Sequence, residues 1–286
     1  MNIDWTVIDL KRAQLNKSPY PTVEKCALEE DAAKILGVGP SQVDVPWGRA
    51  VGYGARSIAL IQPAPGVSTR FLDRHGHQVL VKLFIGRGKA GRAGDFLKYH
   101  GELFEQIEAL TANEHLQQSL EAGSTKQHTH YAILSCFEGT LFRDYLSVPH
   151  TEKEVKCLLQ DLFLRIWIPL WAAGLRFKDC HPGNFIVTES MQLGMIDTEQ
   201  MRKDAFELLT EPNTWTQRDS HGKSGLSKIP KLLETCSQSY GRKRSVSEIK
   251  KWDLYQAVCA HLSELGRGNG STGAAEKCAE ELINTL

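Results

Sequence analysis

The spacing of hydrophobic and polar residues differs between the two parts of the chain. Up to about residue 137, short apolar runs such as residues 78–84 and 131–137 alternate with glycine-rich or polar stretches. Such runs are typical of β-strands. Beyond that point, longer segments with apolar residues every three or four positions are typical of helices. The pattern therefore predicts an α+β fold, with a sheet-rich first third and a helix-rich remainder.

Up to residue 117, the chain is predicted to contain both strands and helices. The elements are a helix over residues 24–36, a hairpin across 43–62, a strand over 78–84 and a helix over 96–117. The hairpin has glycines at its centre, and the strand is apolar except for Lys82. Asp95 can N-cap the last helix. We therefore expect a small sheet accompanied by helices.

The rest of the chain is predicted to be mostly helical. Its elements are helices over residues 142–146, 154–173, 229–239, 246–265 and 274–286, with two short strands at 185–187 and 194–197. The most apolar window, residues 158–175, also contains an acidic residue, a basic residue and a proline, which a membrane-spanning helix tolerates poorly. We therefore expect a buried core helix there, with Trp167 and Trp171 packed in the core.

The amino-acid composition limits the classes of binding partner and the cellular compartments that are expected for this chain. Lys plus Arg and Asp plus Glu each number 34 in the 286 residues, so the chain lacks the broad basic charge of a nucleic-acid-binding protein. The seven cysteines form no Cys-x-x-Cys pair, which fits a reducing compartment. The first residues show no signal-peptide pattern, so a cytoplasmic location is expected. The basic tract at residues 241–245 is predicted to be a solvated lead-in to a helix. Binding of phosphate, a phospholipid surface or RNA is the alternative reading of this tract.

A polar loop and the two strands that follow it carry the main chemical signal. The loop reads Asp179-Cys-His-Pro-Gly-Asn184, and Asp197 ends the second strand. The hairpin can bring Asp197 beside Asn184, and a carboxylate and an amide oxygen together suit Mg²⁺. Asp179 is then available to orient a hydroxyl group and accept its proton. These are the parts that phosphoryl transfer requires.

At these residues the chain resembles the protein-kinase-like phosphotransferases. That family places an Asp and an Asn five residues apart in its catalytic loop, as with Asp179 and Asn184 here. Its metal-binding Asp follows about a dozen residues later, as Asp197 does. The Asp-x-His-Pro-Gly-Asn form is most similar to small-molecule kinases, such as aminoglycoside and choline kinases. The flanking segments 174–180 and 195–201 resemble the lipopolysaccharide-core sugar kinases, and the resemblance spans about residues 45–200.

The resemblance implies a bilobal fold that binds ATP in the cleft between a small antiparallel N-lobe and a mostly helical C-lobe. Gly52, Gly54 and Ser57 match the glycine-rich loop that covers the nucleotide phosphates in this family. A glycine-rich turn suits that role because backbone N–H groups can approach phosphate closely. Taken alone, the same glycines are equally compatible with a simple hairpin turn.

The resemblance also assigns the residues that would hold the rest of the nucleotide. Lys82 matches the lysine that contacts the α- and β-phosphates, and a glutamate on the next helix orients it. Glu102 stands at the family's distance from Lys82, with Glu105 and Glu108 as alternatives. A snorkelling lysine on an edge strand is the alternative reading of Lys82. The backbone segment expected to contact the adenine edge is Ser135, Cys136 and Phe137.

Two positions depart from the family pattern. Phe177 occupies the place of a family His or Tyr, and no glycine follows Asp197. A protein-kinase activation segment is therefore not evident, which favours a small-molecule or glycolipid-sugar acceptor over a protein. His181 is expected to hold the loop backbone by hydrogen bonds, with a catalytic or metal-binding role as the alternative.

These expectations combine into one hypothesis about organisation and activity. Residues 1–40 would form an N-terminal extension, 41–137 the N-lobe and 138–286 the C-lobe. The chain would be a Mg·ATP-dependent kinase that transfers the γ-phosphate to a hydroxyl group of a small molecule or sugar, including one presented at a membrane surface. A diverged protein Ser/Thr kinase and a nucleotide-binding pseudokinase module remain the alternatives.

Overall fold

The computed structural model describes residues 25–44, 59–63, 67–69, 71, 79–84, 112–124, 130–177, 180–198, 201–203 and 226–286. The chain divides into two units. The first comprises Met1–Gln106 and Gln118–Cys136, and the second comprises Ile107–Gln117 and Phe137–Leu286. Both units contain antiparallel strands, and the second contains most of the described helices. The fold is therefore mixed, as the α+β prediction requires.

An antiparallel sheet forms the framework of the first unit. Its elements are helix α1 (Lys25–Leu36) and strands β1 (Val43–Asp44), β2 (Ala59–Pro63), β3 (Val79–Phe84), β4 (Ser119–Ser124) and β5 (His130–Ser135). The strand order is β1-β2-β3-β5-β4, so β3 lies at the centre. The predicted helix at 24–36 and strand at 78–84 are confirmed within a residue. Strand β4 was not predicted, because its sequence, SLEAGS, lacks a clear apolar alternation.

The two faces of this sheet are buried by different groups. On one face Val79, Val81 and Ile133 pack with the apolar side of α1, where Leu36 is fully buried. On the other face Leu80 packs with small or medium residues: Ala122, Ala132, Leu134 and Cys136. Successive side chains of a strand point to opposite faces. Lys82 therefore lies on the same face as Leu80, opposite α1.

A buried helical run lies at the centre of the second unit. It consists of α3 (Glu152–Gln160), a π-helical segment (Asp161–Trp167) and α4 (Ile168–Ala172), preceded by the short helix α2 (Phe142–Tyr145). Trp167 and Trp171 are both buried, so the predictions of a core helix and of tryptophan packing are confirmed. Further helices are α5 (Ile229–Ser239), α6 (Val246–Ile249), α7 (Asp253–Gly266) and α8 (Thr272–Thr285). None of the helices in the described ranges carries an apolar stretch long enough to cross a bilayer.

Short strands flank the polar loop of the second unit. Strands β6 (Gly139–Leu141), β8 (Phe185–Thr188) and β9 (Leu193–Met195) form an antiparallel sheet in the order β6-β8-β9. A separate pair joins β7 (Leu175–Phe177) to β10 (Met201–Lys203). The β8–β9 pair is the predicted hairpin. Its second strand ends at Met195, two residues earlier than predicted.

The predicted helix over residues 96–117 is wrong at its C-terminal end, because residues 112–117 form a turn and an extended stretch. The Asn113 side chain accepts the N–H of His115 at 3.0 Å and donates to the carbonyl of Arg165 at 2.7 Å. Such local side-chain bonds compete with helical hydrogen bonding. In place of the predicted helical end, the segment runs beside β9 and forms a parallel β-bridge between Leu116 and Met195.

The single helix predicted over residues 246–265 is also wrong, because the chain breaks between α6 and α7. Trp252 is extended and directly precedes α7 as its N-cap residue, and the Arg244 guanidinium lies 5.3 Å from the centre of the Trp252 ring. The side chain of Gln256 donates to the Lys250 carbonyl at 2.6 Å, which satisfies a carbonyl group at the end of α6. Ser245 N-caps α6, as expected for a helix lead-in at residues 241–245.

Candidate functional site

Asn184 and Asp197 stand at the same end of the β8–β9 hairpin. In the register of this pair Phe185 lies opposite Met195, and the N–H of Ile196 donates to the carbonyl of Asn184 at 2.9 Å. Asn184 directly precedes β8 and Asp197 follows Ile196, so the two residues lie on adjoining chain segments. This is the arrangement that the sequence predicts for them.

The loop before Asn184 is tightly bonded to itself. Pro182–Asn184 forms a 3₁₀ turn in which the Asn184 N–H donates to the His181 carbonyl at 2.9 Å. The His181 Nδ1 atom accepts the N–H of Gly183 at 3.0 Å, so the predicted backbone-holding role of His181 is confirmed. Asn184 and Cys180 are both buried. The loop therefore presents its amide side chain from a restrained backbone.

Asp197 has a left-handed backbone, with φ of +62°. A non-glycine residue rarely adopts this conformation, although Asp and Asn tolerate it better than most. The Asp197 N–H donates to the Oε1 atom of Gln117 at 3.1 Å, and the Thr198 hydroxyl donates to the Gln117 carbonyl at 3.0 Å. The conformation of Asp197 is thus supported by bonds on both sides of its peptide unit.

Residues 113–117 support the hairpin from a distant part of the sequence. The Met195 N–H donates to the His115 carbonyl at 2.7 Å, and the Gln117 N–H donates to the Met195 carbonyl at 2.9 Å. The Nδ1 atom of His115 lies 2.8 Å from the Leu193 carbonyl, so it must carry the proton, because a carbonyl oxygen can only accept. Asp161 in the π-helical segment accepts the Leu193 N–H at 3.0 Å. Strand β9 is therefore fixed along its length.

Sequence reasoning missed Gln117 as a site residue. Its position near the end of an apparent helix suggested no role, and one glutamine carries no motif. The structure shows that Gln117 is buried and that three of its hydrogen bonds reach Met195, Asp197 and Thr198. The local signal that was available is Asn113, whose side chain favours a turn at this point.

In the first unit, Lys82 is buried on the central strand. It is 7% exposed, and its register partners are Leu60 on β2 and Ala132 on β5. The alternative reading of Lys82 as an edge-strand lysine is therefore wrong. An ammonium group is costly to bury, so a lysine here indicates a specific role rather than solvent exposure.

The predicted hinge residues differ in their bonding. In the first unit, Ser135 donates its N–H to the Gln118 carbonyl at 2.9 Å, and its hydroxyl accepts the Gln118 N–H at 2.8 Å. Ser135 therefore joins β4 to β5, and its N–H is already donated within the sheet. In the second unit the buried Phe137 ring packs against Gly194, where an added Cβ would lie 2.8 Å from the ring. Cys136 is buried on the Lys82 face of the first sheet.

Several predicted site residues lie outside the described residues. They are Gly52, Gly54, Ser57, Glu102 and Asp179. The roles assigned to them remain predictions from the sequence. Within the described ranges, the residues with candidate roles are Lys82 in the first unit and, described separately, Asn184 and Asp197 at the hairpin end of the second unit.

The donor set of the hairpin end suits a hard cation that is held mainly by a substrate. Where the structure describes the chain, no three His, Cys, Asp or Glu side chains gather closely enough to form a metal site of their own. Magnesium commonly uses one or two carboxylates and takes its other ligands from phosphate and water. One carboxylate and one amide oxygen, at Asp197 and Asn184, fit a nucleotide-bound Mg²⁺ of this kind.

No protein-family model matches the chain, and no curated protein sequence matches it.

Proposed function

We propose that this chain is a Mg·ATP-dependent phosphotransferase that transfers the γ-phosphate to a hydroxyl acceptor. The observation that carries the proposal is the pairing of a buried Asn184 with a left-handed Asp197 at one end of a fixed hairpin. Strain of this kind in a well-supported backbone is commonly found at functional sites. The sequence around these residues independently resembles a phosphotransferase loop.

The proposed roles follow from the chemistry of each side chain. Asn184 and Asp197 would hold Mg²⁺ through their side-chain oxygens. The bound ion would neutralise charge on the phosphate oxygens. Asp179 would orient the acceptor hydroxyl and take its proton, which places the attacking oxygen in line. Most of the rate enhancement would come from positioning and electrostatic stabilisation rather than from a covalent intermediate.

The first unit would provide the nucleotide phosphates with a cation. Lys82 would contact the α- and β-phosphates, oriented by Glu102, and the turn with Gly52, Gly54 and Ser57 would cover them. The burial of Lys82 on the apolar face of β3 supports this role, because a charge is far stronger where water is excluded.

The fold proposed for the whole chain is the bilobal protein-kinase-like one. The antiparallel sheet of the first unit, with β3 at its centre, supports its assignment as the small lobe. The helical run around Trp167 and the β8–β9 hairpin support the assignment of the second unit as the helical lobe. The proposed acceptor is a small molecule or a glycolipid sugar, on the strength of the Asp-x-His-Pro-Gly-Asn loop and the glycine missing after Asp197.

The test is transfer of labelled phosphate from ATP to pools of sugars, lipid-linked sugars and proteins in the presence of Mg²⁺. We expect Asp179→Asn, Asn184→Ala and Asp197→Ala each to lower turnover by about 100-fold or more. Glu189→Gln is the matched control, because Glu189 is an exposed acid in the turn of the same hairpin. Its turnover should equal that of the wild type.

The same experiment separates the alternatives. Labelling confined to the protein pool would favour a diverged protein kinase over a sugar kinase. Nucleotide binding without transfer to any pool would indicate a pseudokinase module and would overturn the proposal of an enzyme. Full activity in Asp197→Ala would overturn the assignment of the site.

A further inference from the structure

We infer that Gln117 is a positioning residue that holds Asp197 in the left-handed conformation in which its carboxylate serves the nucleotide-bound metal. This inference rests on the proposed function for its metal-binding part. Its structural part, the control of the Asp197 backbone by Gln117, stands on the hydrogen bonds alone.

Gln117 contacts the segment around Asp197 at three points. Its N–H donates to the Met195 carbonyl at 2.9 Å, two residues before Asp197. Its side-chain Oε1 accepts the Asp197 N–H at 3.1 Å, and its carbonyl accepts the Thr198 hydroxyl at 3.0 Å. The three bonds bracket Asp197, so they restrain the backbone torsions on both sides of its Cα atom.

A restraint at this position matters because the backbone torsions determine where the carboxylate points. With φ at +62°, Asp197 occupies a left-handed region that non-glycine residues rarely adopt. Without support, the residue would relax towards negative φ, which would change the direction of its side chain relative to the preceding backbone. Gln117 opposes that relaxation because it anchors the Asp197 N–H, which precedes the Cα atom, and the Thr198 hydroxyl, which follows it, at the same time.

Gln117 is suited to this role because it is itself immobilised. Its side chain is only 4% exposed. The preceding residues are fixed by the bond of His115 Nδ1 to the Leu193 carbonyl and by the bond of Asn113 to the Arg165 carbonyl in the π-helical segment. A rigid support can hold a neighbouring group within the narrow geometry that catalysis requires.

Two pairs of variants test the inference. Gln117→Met removes the acceptor at nearly constant volume, and Gln118→Met makes the same change at an equally buried neighbour as the control. Thr198→Val removes the second side-chain bond to Gln117, whereas Thr198→Ser retains the hydroxyl group. The Thr198 pair decides the question if Gln117→Met fails to fold.

The first measurement is hydrogen exchange of the Asp197 amide in the full-length protein without nucleotide. We expect exchange to quicken about threefold to tenfold in Gln117→Met and in Thr198→Val, the range that one hydrogen bond contributes. Thr198→Ser and Gln118→Met should match the wild type. Unchanged Asp197 exchange in both Gln117→Met and Thr198→Val would overturn the inference, whatever the protein's activity.

The second measurement is Mn²⁺ affinity, followed by electron paramagnetic resonance with a non-hydrolysable ATP analogue. Weaker Mn²⁺ binding in Gln117→Met and Thr198→Val, restored in Thr198→Ser, is the expected result. Altered exchange with unchanged Mn²⁺ affinity would overturn the metal-positioning part. Failure of the wild type to bind Mn²⁺ with the nucleotide would overturn the proposed function. The hydrogen-exchange data would still show whether Gln117 restrains the backbone of Asp197.

Discussion

The backbone N–H of Asp197 donates to the Oε1 atom of Gln117, a residue 80 positions earlier in the chain, at 3.1 Å. This bond joins a candidate metal ligand to a segment with no recognisable motif. Asp197 also has a positive φ, a geometry that it shares among the described non-glycine residues with Met191 in the turn of the same hairpin. The left-handed backbone at Asp197 therefore lies at a candidate metal ligand.

Two substitutions of Asp197 should separate the effect of its left-handed backbone on stability from the effect of its carboxylate on activity. Glycine adopts a φ of +62° without strain, whereas alanine does not. We expect Asp197→Gly to have a free energy of unfolding about 1 kcal/mol higher than Asp197→Ala, measured by urea denaturation. Both variants should lack phosphoryl transfer. Equal stability of the two variants would show that the left-handed conformation is not retained in solution.

Replacing Lys82 should lower both turnover and ATP binding. Lys82→Met keeps a long, flexible side chain but eliminates a buried charge on the central strand. Because Lys82 would supply the cation that contacts the nucleotide phosphates, we expect turnover to fall about 100-fold and ATP binding to weaken. A labelled-phosphate assay and a fluorescent ATP-binding assay measure the two effects, and urea denaturation measures the free energy of unfolding. A marked loss of stability with unchanged nucleotide binding would assign Lys82 a purely structural role.

Adding a methyl group at Gly194 should disturb the second unit at the predicted hinge. The new Cβ would lie 2.8–2.9 Å from three atoms of the buried Phe137 ring. We expect Gly194→Ala to lower the free energy of unfolding by about 1–3 kcal/mol and to weaken ATP binding, because Phe137 must move. The matched control is Gly273→Ala in α8, where an added Cβ meets no atom within 4 Å. An ATP affinity that stays at the wild-type value in Gly194→Ala would argue against a hinge role for Phe137.

Two helix N-termini should make part of the stability depend on pH. Glu154 accepts the Thr151 N–H at 2.8 Å and the Thr151 hydroxyl at 2.7 Å, and these bonds lower the pKa of Glu154 below its ordinary value of 4.5. Glu248 bonds the Ser245 N–H and hydroxyl in the same way, which lowers the pKa of Glu248. Both reciprocal arrangements are capping boxes.

The direction of the pH effect follows from the lowered values. Each carboxylate contributes stability that is fully present above pH 4.5 and is lost as the pH falls through the lower pKa of the folded state. Between about pH 6 and pH 3, the double variant Glu154→Gln/Glu248→Gln should therefore lose less stability than the wild type. Chemical denaturation at a series of pH values measures this difference. An identical pH dependence of the two proteins would contradict the assignment.

Elements with a strong local pattern were predictable. The core helical run around Trp167 has apolar residues on most of its faces, and α5 was predicted at the bounds that the structure has. The hairpin with Asn184 and Asp197 was also predictable, because two short apolar strands with a turn between them have one simple pairing. These features depend on interactions between residues that are close in sequence.

Features that depend on distant residues were not predictable. Residues 112–117 have helix-compatible composition, but the bonds of Asn113 and His115 to the π-helical segment and to β9 keep them extended. In this segment tertiary contacts outweighed intrinsic helix propensity, since propensity differences are small per residue.

The amino-acid sequence by itself determined the alternation of strands and helices, the polar loop and the residue types that suit a nucleotide-bound cation. Only the tertiary structure decided that Lys82 lies at the centre of its sheet and that Gln117 supports a left-handed Asp197. The physical reason is the range of the interactions. Periodicity and capping act within a few residues, whereas burial of an ammonium group and restraint of a strained backbone require partners that only the folded chain brings together.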